Sequence, residues 1–91
     1  MYLVIAYDIP SNKRRNKIAK TLKNFGFRTQ LSVFEAIVNQ NELQRIIKAL
    51  NNIIDQNEDS VRIYPLCQKC QENFIILGRG NKIQKQAFII A

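Results

Sequence analysis

Histidine is absent from this chain. That removes the usual imidazole general base and every nucleophile activated by a paired imidazole. Acids are scarce too, with seven Asp and Glu against fourteen Lys and Arg in 91 residues. The three glycines nowhere take the spacing of a phosphate-cradling loop, and Gly78-Arg79-Gly80 reads only as a turn. Two cysteines form a single CxxC, Cys67-Gln68-Lys69-Cys70. Half of a four-ligand zinc site needs its other pair from a second subunit when no histidine exists. A redox pair wants a helix start after its first cysteine, whereas this one falls between two strands, so a structural connector is expected. No apolar run approaches bilayer-spanning length, and the first residues lack the basic region and cleavage site of a signal peptide. The expectation is a cytoplasmic protein without a membrane partner.

A 46% hydrophobic fraction excludes disorder, and 91 residues suit one domain with a two-layer core. The formal charge of +7 is unevenly placed. Lys13, Arg14, Arg15, Lys17, Lys20, Lys23 and Arg28 fall in a stretch, 10–33, that holds no acid. A solvated helix face is the bland account of such a run. The missing counter-charge favours a polyanion, because cations that neutralise phosphates release condensed counterions. Lys13, Arg14, Arg15, Lys17, Lys20 and Arg28 are the candidate nucleic-acid contacts.

Residues 2–6, YLVIA, are continuously apolar and read as a central strand that ends in Tyr7-Asp8. Pro10 breaks it, and Ser11 or Asn12 caps a helix in which Ile18, Leu22 and Phe25 form the buried stripe. Gly26 is expected to supply a left-handed helix end. Arg14 and Arg15 are placed toward Asp8, either as an ion pair that closes the turn or as part of a site. Residues 27–39 read as two short strands, or one bent strand, around Leu31-Ser32. Over 41–55, Leu43, Ile46, Ile47, Leu50, Ile53 and Ile54 keep helical spacing. Val61 and Ile63 alternate with Arg62 and Tyr64 in a strand expected to stop at Pro65. A strand over 73–77 and an apolar tail over 87–90 follow.

This order, β-α-β-β-α-β, predicts a ferredoxin-like α+β sandwich: an antiparallel sheet with two helices on one face. A single domain is expected, with 1–80 as its core and 81–91 as a dimerisation segment. The apolar tail either closes its own sheet or pairs with a second copy, the latter being favoured.

Glu42, Asp55, Glu58, Asp59 and Glu72 fall in helix faces or loops that read as solvated. Asp8, and after it Glu35, remain as chemical candidates. One carboxylate does not hold Mg²⁺ alone, since the ion prefers six oxygens from carboxylates, water and phosphate. Two copies of Asp8 facing one cleft would hold the ion, which activates water and polarises a phosphodiester.

At this point the chain resembles the small CRISPR-associated adaptation proteins of the Cas-two family. The shared features are Tyr7-Asp8-Ile9 at the first strand's end, the basic helix through Arg15, Arg28-x-Gln30-x-Ser32-Val33-Phe34-Glu35, and Ile63-Tyr64-Pro65-Leu66. The resemblance implies a ferredoxin-like homodimer with Asp8 of each subunit facing the other across a cleft. It implies a Mg²⁺-dependent endonuclease acting on single-stranded RNA or duplex DNA. A parallel implication is a central dimer that binds DNA and bridges copies of the CRISPR integrase subunit in spacer acquisition, a scaffold role that needs no cleavage. A ribonuclease toxin of the same fold is a further alternative. By matching position Asp8 is the metal ligand, with Tyr7, Arg15, Arg28, Ser32 and Phe34 around it. Lys17 stands where some relatives carry arginine, which keeps the charge and loses the bidentate fork. From the residues themselves, Arg15 and Arg28 suit phosphate clamping and Ser32 offers a hydroxyl. Two roles stay open for Phe34, core packing or a stack on a base. For Tyr7 the choice lies between orienting Asp8 and burying its ring.

Overall fold

The computed structural model describes residues 1–66, 75–77 and 89–90. Strand β1 covers Tyr2–Asp8 and helix α1 covers Asn12–Leu22; strands β2 and β3 are Gly26–Gln30 and Val33–Ile37. Helix α2 covers Gln40–Ile53, strand β4 Ser60–Leu66, and two short strands, β5 and β6, are Ile75–Ile76 and Ile89–Ile90. Four strands form one sheet in the order β2-β3-β1-β4, every neighbouring pair antiparallel. The expected ferredoxin-like sandwich is what forms. Strands β5 and β6 pair parallel to each other in a second, two-stranded sheet. Cys67, Cys70, Gly78 to Gly80 and the connector at 81–88 lie outside the described residues.

The alternation of β1 sorts its side chains between two faces. Leu3, Ile5 and Tyr7 enter the core with Phe34 and Ala36 of β3, under Ile18, Ala19 and Leu22 of α1 and Leu43, Ile46 and Leu50 of α2. Tyr2, Val4, Ala6 and Asp8 take the opposite face, where the register sets them across from Leu66, Tyr64, Arg62 and Ser60 of β4. Burial there is uneven: Tyr2 and Glu35 are buried, whereas Ile37 and Tyr64 remain nearly half exposed. The helices thus cover one face of the sheet and leave the other partly open.

Local chemistry fixes both helix starts. Ser11 caps α1, its hydroxyl accepting from the Arg14 N–H at 3.2 Å. Asn39 and Glu42 make a reciprocal capping box on α2, at 2.8 and 2.9 Å. Glu42, on a solvent-facing helix start as expected, is therefore also a capping residue.

Four expectations need correction. Gly26 does not end α1 in a left-handed turn; Lys23 closes the helix in right-handed geometry, and Gly26 opens β2. Its need is for close approach, since a Cβ there would lie 2.1 Å from the Glu35 carbonyl oxygen. Pro65 does not stop β4, because an edge strand can turn a missing N–H outward; it pairs with Leu3 inside the strand. Ile47 has helical spacing yet stands exposed, since the sheet is narrower than the apolar stripe of α2. Asp59 is not solvated; its side chain is 0% exposed and holds Arg14. Among the described residues no helix is long and apolar enough to cross a membrane.

Candidate functional site

Asp8 ends β1 on the open face, one residue past the last core position of the strand. Pro10 and the Ser11 cap turn the chain sharply into α1 just beyond it. On one side Asp8 lines a cleft of about 430 Å³ with Tyr7, Ile9, Arg15, Asn16, Arg28, Leu31 and Ser32. On its other side it lines a shallower depression of about 240 Å³ with Ala6, Tyr7, Ser60 and Arg62. Asp8 is exposed, and among the described residues no ion pair or side-chain hydrogen bond engages its carboxylate.

Tyr7 shapes the cleft from below. Its ring is buried, its hydroxyl donates to the Leu31 carbonyl at 3.3 Å, and its N–H donates to the Ser32 carbonyl at 3.1 Å. Both bonds fasten the β2–β3 turn to β1, which brings Ser32 beside Asp8. Of the two roles left open for Tyr7, ring burial is the one observed. Phe34 is 1% exposed, its ring 6.4 Å from that of Tyr7 and 5.4 Å beneath the Arg28 guanidinium. It belongs to the core and supports Arg28 by a cation–π contact, so it is not available to a base.

Arg15 does not pair with Asp8. Its Nη1 donates to the carbonyls of Ile9 at 2.8 Å and Pro10 at 3.3 Å, which braces the turn and leaves its other donors for the cleft. Arg14 does not reach Asp8 either. Its Nε and Nη2 fork onto Asp59 at 2.6 and 3.0 Å, with Glu58 at 3.7 Å. The Arg14 hydrogen bonds hold the Asp59 carboxyl below its usual range, helped by the Asp55 N–H, and they raise the guanidinium in turn. Of the two alternatives, the ion pair with Asp8 does not form; Arg14 pairs instead with Asp59, the residue just before β4.

Glu35, the second candidate carboxylate, is buried and accepts a hydrogen bond from the Tyr2 hydroxyl. Burial, then the bond to Glu35, push the Tyr2 phenol well above its usual range. Lys13, Lys17 and Lys20 stand exposed on α1, outside the lining of the cleft. The structure thus gathers Tyr7, Asp8, Arg15, Arg28 and Ser32, and sets Arg14, Phe34 and the three lysines apart.

Ser60 and Arg62 escaped the sequence reading. Arg62 reads there as the polar half of an alternating strand, and only the pairing of β4 with β1 places it on the face of Asp8. Leu31, 82% exposed at the cleft, also carried no signal beyond its place in a turn.

Fold and site together define a ferredoxin-like α+β domain that offers an uncommitted carboxylate between arginine cations on a strongly basic chain. Comparison with known proteins adds the particulars. The family described as CRISPR associated protein Cas2 matches residues 1–74, and the chain belongs to that family. A CRISPR-associated endoribonuclease Cas2 of Chloroflexus aurantiacus is 42% identical over 80 residues, 88% of this chain and 86% of that protein. A CRISPR-associated endonuclease Cas2 of Thermus thermophilus is 38% identical over 76 residues, 84% and 80% of the two chains. The crystal structure of Streptococcus pyogenes Cas2 superposes with a TM-score of 0.71 at 36% identity, covering 75% of this chain and 88% of that one. A hypothetical protein from Thermus thermophilus gives 0.79 at 35% identity, covering 89% and 94%.

Proposed function

We propose that this chain is a Mg²⁺-dependent endonuclease that hydrolyses phosphodiester bonds of single-stranded RNA or duplex DNA, as a homodimer taking part in CRISPR spacer acquisition in the cytoplasm. The observation that carries this reading is the state of Asp8. The other acids near the sheet are committed, Glu35 to Tyr2 and Asp59 to Arg14, whereas Asp8 faces open clefts lined with guanidinium groups. The names of the relatives, endoribonuclease and endonuclease, agree on the reaction class.

The donor chemistry of Asp8 fits a hard divalent cation, which takes carboxylate oxygen, water and phosphate. Among the described residues no group of three or more His, Cys, Asp or Glu assembles, and Asp8 is the one acid among those lining the two clefts. Asp8 of a second copy completes the pair. When bound, the ion lowers the pKa of a water and polarises the phosphoryl oxygen. The chain's own groups position the strand. Arg15 and Arg28 clamp phosphates with their free N–H donors, and Ser32 donates a hydroxyl. Tyr7 and Phe34 hold that constellation from the core. Lys13, Lys17 and Lys20 attract the polyanion along α1. Arg14 adds little, because Asp59 occupies its fork.

The open sheet face supports the dimer. Ile37 and Tyr64 are exposed there beside half-buried Val4 and Val33, an apolar surface suited to a second copy. Strand β6 pairs with β5 of its own chain, so of the two uses expected for the apolar tail the described residues show closure on the same chain, and the dimer rests on the open face instead. Binding of the CRISPR integrase subunit belongs to the same dimer and does not draw on Asp8.

The test uses purified wild type and Asp8→Asn on labelled RNA and duplex DNA, with Mg²⁺ and with chelator. Wild type cleaves only with the metal. Asp8→Asn loses cleavage by roughly 100-fold or more, at least the scale of outer-shell losses at metal sites, while its melting temperature holds. Lys17→Glu with Lys20→Glu weakens binding instead. Cleavage by Asp8→Asn at the wild-type rate defeats the proposal.

A further inference from the structure

We propose that Arg62 and Ser60 form a second phosphate-binding position across Asp8 from Arg15 and Arg28, so that the bound strand crosses the carboxylate with a cation on each side. The inference rests on the nucleic-acid reading above and deepens it.

Pairing of β4 with β1 sets Ser60 opposite Asp8 and Arg62 opposite Ala6, on one face of the sheet. These residues line a depression separate from the cleft of Arg15, Arg28 and Ser32, and the two share only Tyr7 and Asp8. Tyr7 is buried, so the ridge between them presents Asp8. Arg62 is exposed, and among the described residues neither an ion pair nor a hydrogen bond occupies its guanidinium. Diagonal neighbours on paired strands lie within reach of a long side chain, yet Arg62 and Asp8 form no ion pair. Each therefore keeps its capacity for another partner: a metal for the carboxylate, an anion for the guanidinium. A planar fork of N–H donors beside a serine hydroxyl suits a phosphodiester oxygen pair. A cation on both sides of Asp8 selects a strand that continues in both directions, which is the geometry of internal cleavage rather than trimming from an end.

The experiment reads binding, so that it does not depend on turnover. Full-length wild type, Arg62→Gln, Arg62→Lys and Arg45→Gln are titrated with a fluorescent single-stranded RNA oligonucleotide in chelator, across a salt series. Arg45 is exposed on α2 and serves as the control for overall charge. Each phosphate contact on a single strand contributes about 0.7 to the slope of log K against log salt. Arg62→Gln should lose about that much slope, Arg62→Lys should keep it, and Arg45→Gln should match wild type. An unchanged slope in Arg62→Gln overturns the inference, and so do equal losses in Arg62→Gln and Arg45→Gln. Dissociation of the Arg62→Gln dimer in sedimentation also overturns it, since Arg62 is then an interface residue. A wild type that cleaves while Arg62→Gln binds normally removes Arg62 alone. A wild type that binds but never cleaves removes the nuclease and leaves the slope comparison standing.

Discussion

Replacing Tyr2 with Phe removes a single hydroxyl, and the structure sets what that costs. Tyr2 is 1% exposed and Glu35 8%, and the hydroxyl donates to Glu35 Oε1 across β1 and β3. A hydrogen bond to a charged acceptor is worth about 1.5–3 kcal/mol, and its loss leaves a buried carboxylate short of a donor. At about 4–8 °C per kcal/mol for a domain of this size, the melting temperature falls by roughly 6 °C at the low end. Urea unfolding at one fixed protein concentration gives the free energy, because the stability of a dimer depends on concentration. Glu35→Gln and the double variant complete a cycle that isolates the pair. The alkaline limb supplies a second reading. The folded phenol is raised above its usual value, so its contribution is complete below about pH 10 and is lost as pH climbs toward the raised value. Tyr2→Phe lacks that loss. Cleavage per folded molecule is unchanged, because the pair lines neither cleft. A Tyr2→Phe chain within 0.5 kcal/mol of wild type, with the same alkaline limb, refutes the account.

Gly26→Ala drives a Cβ to 2.1 Å from the Glu35 carbonyl oxygen and 2.7 Å from the Ala36 Cβ. Backbone cannot yield as a side-chain tip does, so β2 shifts from β3 at a cost of about 1–3 kcal/mol or more; wild-type stability in urea would disprove it. At low pH the Arg14–Asp59 pair decides. The Asp59 carboxyl is depressed in the fold by its hydrogen bonds from Arg14, so its contribution is present above the unfolded value near 3.9 and is lost as pH falls through the lower folded one. Melting curves from pH 7 to pH 2 should therefore fall below about pH 4 in wild type and flatten in Arg14→Gln. An unaltered acid limb in Arg14→Gln assigns that sensitivity elsewhere.

The fold was legible because its signals were local. An unbroken apolar run gave β1, the spacing of Leu43, Ile46 and Leu50 gave α2, and the cap at Ser11 lies next to Pro10. Gly26 misled because a glycine after a helix has two uses, and only the partner strand distinguishes a left-handed residue from a close contact. The site was half legible for the same reason. Tyr7 and Asp8 sit at a strand end that can be read in place, and Arg28 and Ser32 flank a recognisable turn. Arg62 needs the β1–β4 register, and the fate of Arg14 needs the position of Asp59 some 45 residues later. Charges separated that far in sequence are matched only after the chain has folded.

That matching explains why Asp8 is available at all. In a chain with twice as many cations as acids, an exposed carboxylate near three arginines would ordinarily be neutralised within the fold. Here two of those arginines are held away from it. Arg15 is turned back onto the Ile9 and Pro10 carbonyls, and Arg28 rests over the Phe34 ring. Each is anchored by part of its guanidinium and keeps the remaining donors outward. Fixing the cations by backbone and ring contacts, rather than by the carboxylate, leaves positive and negative groups side by side without mutual cancellation. Such an arrangement is poorly justified as a stability device, since exposed ion pairs contribute at most about 1 kcal/mol and this one is left unformed. It is well justified as a preorganised site, where a cation and a phosphate arrive together and each finds its counter-charge already in place.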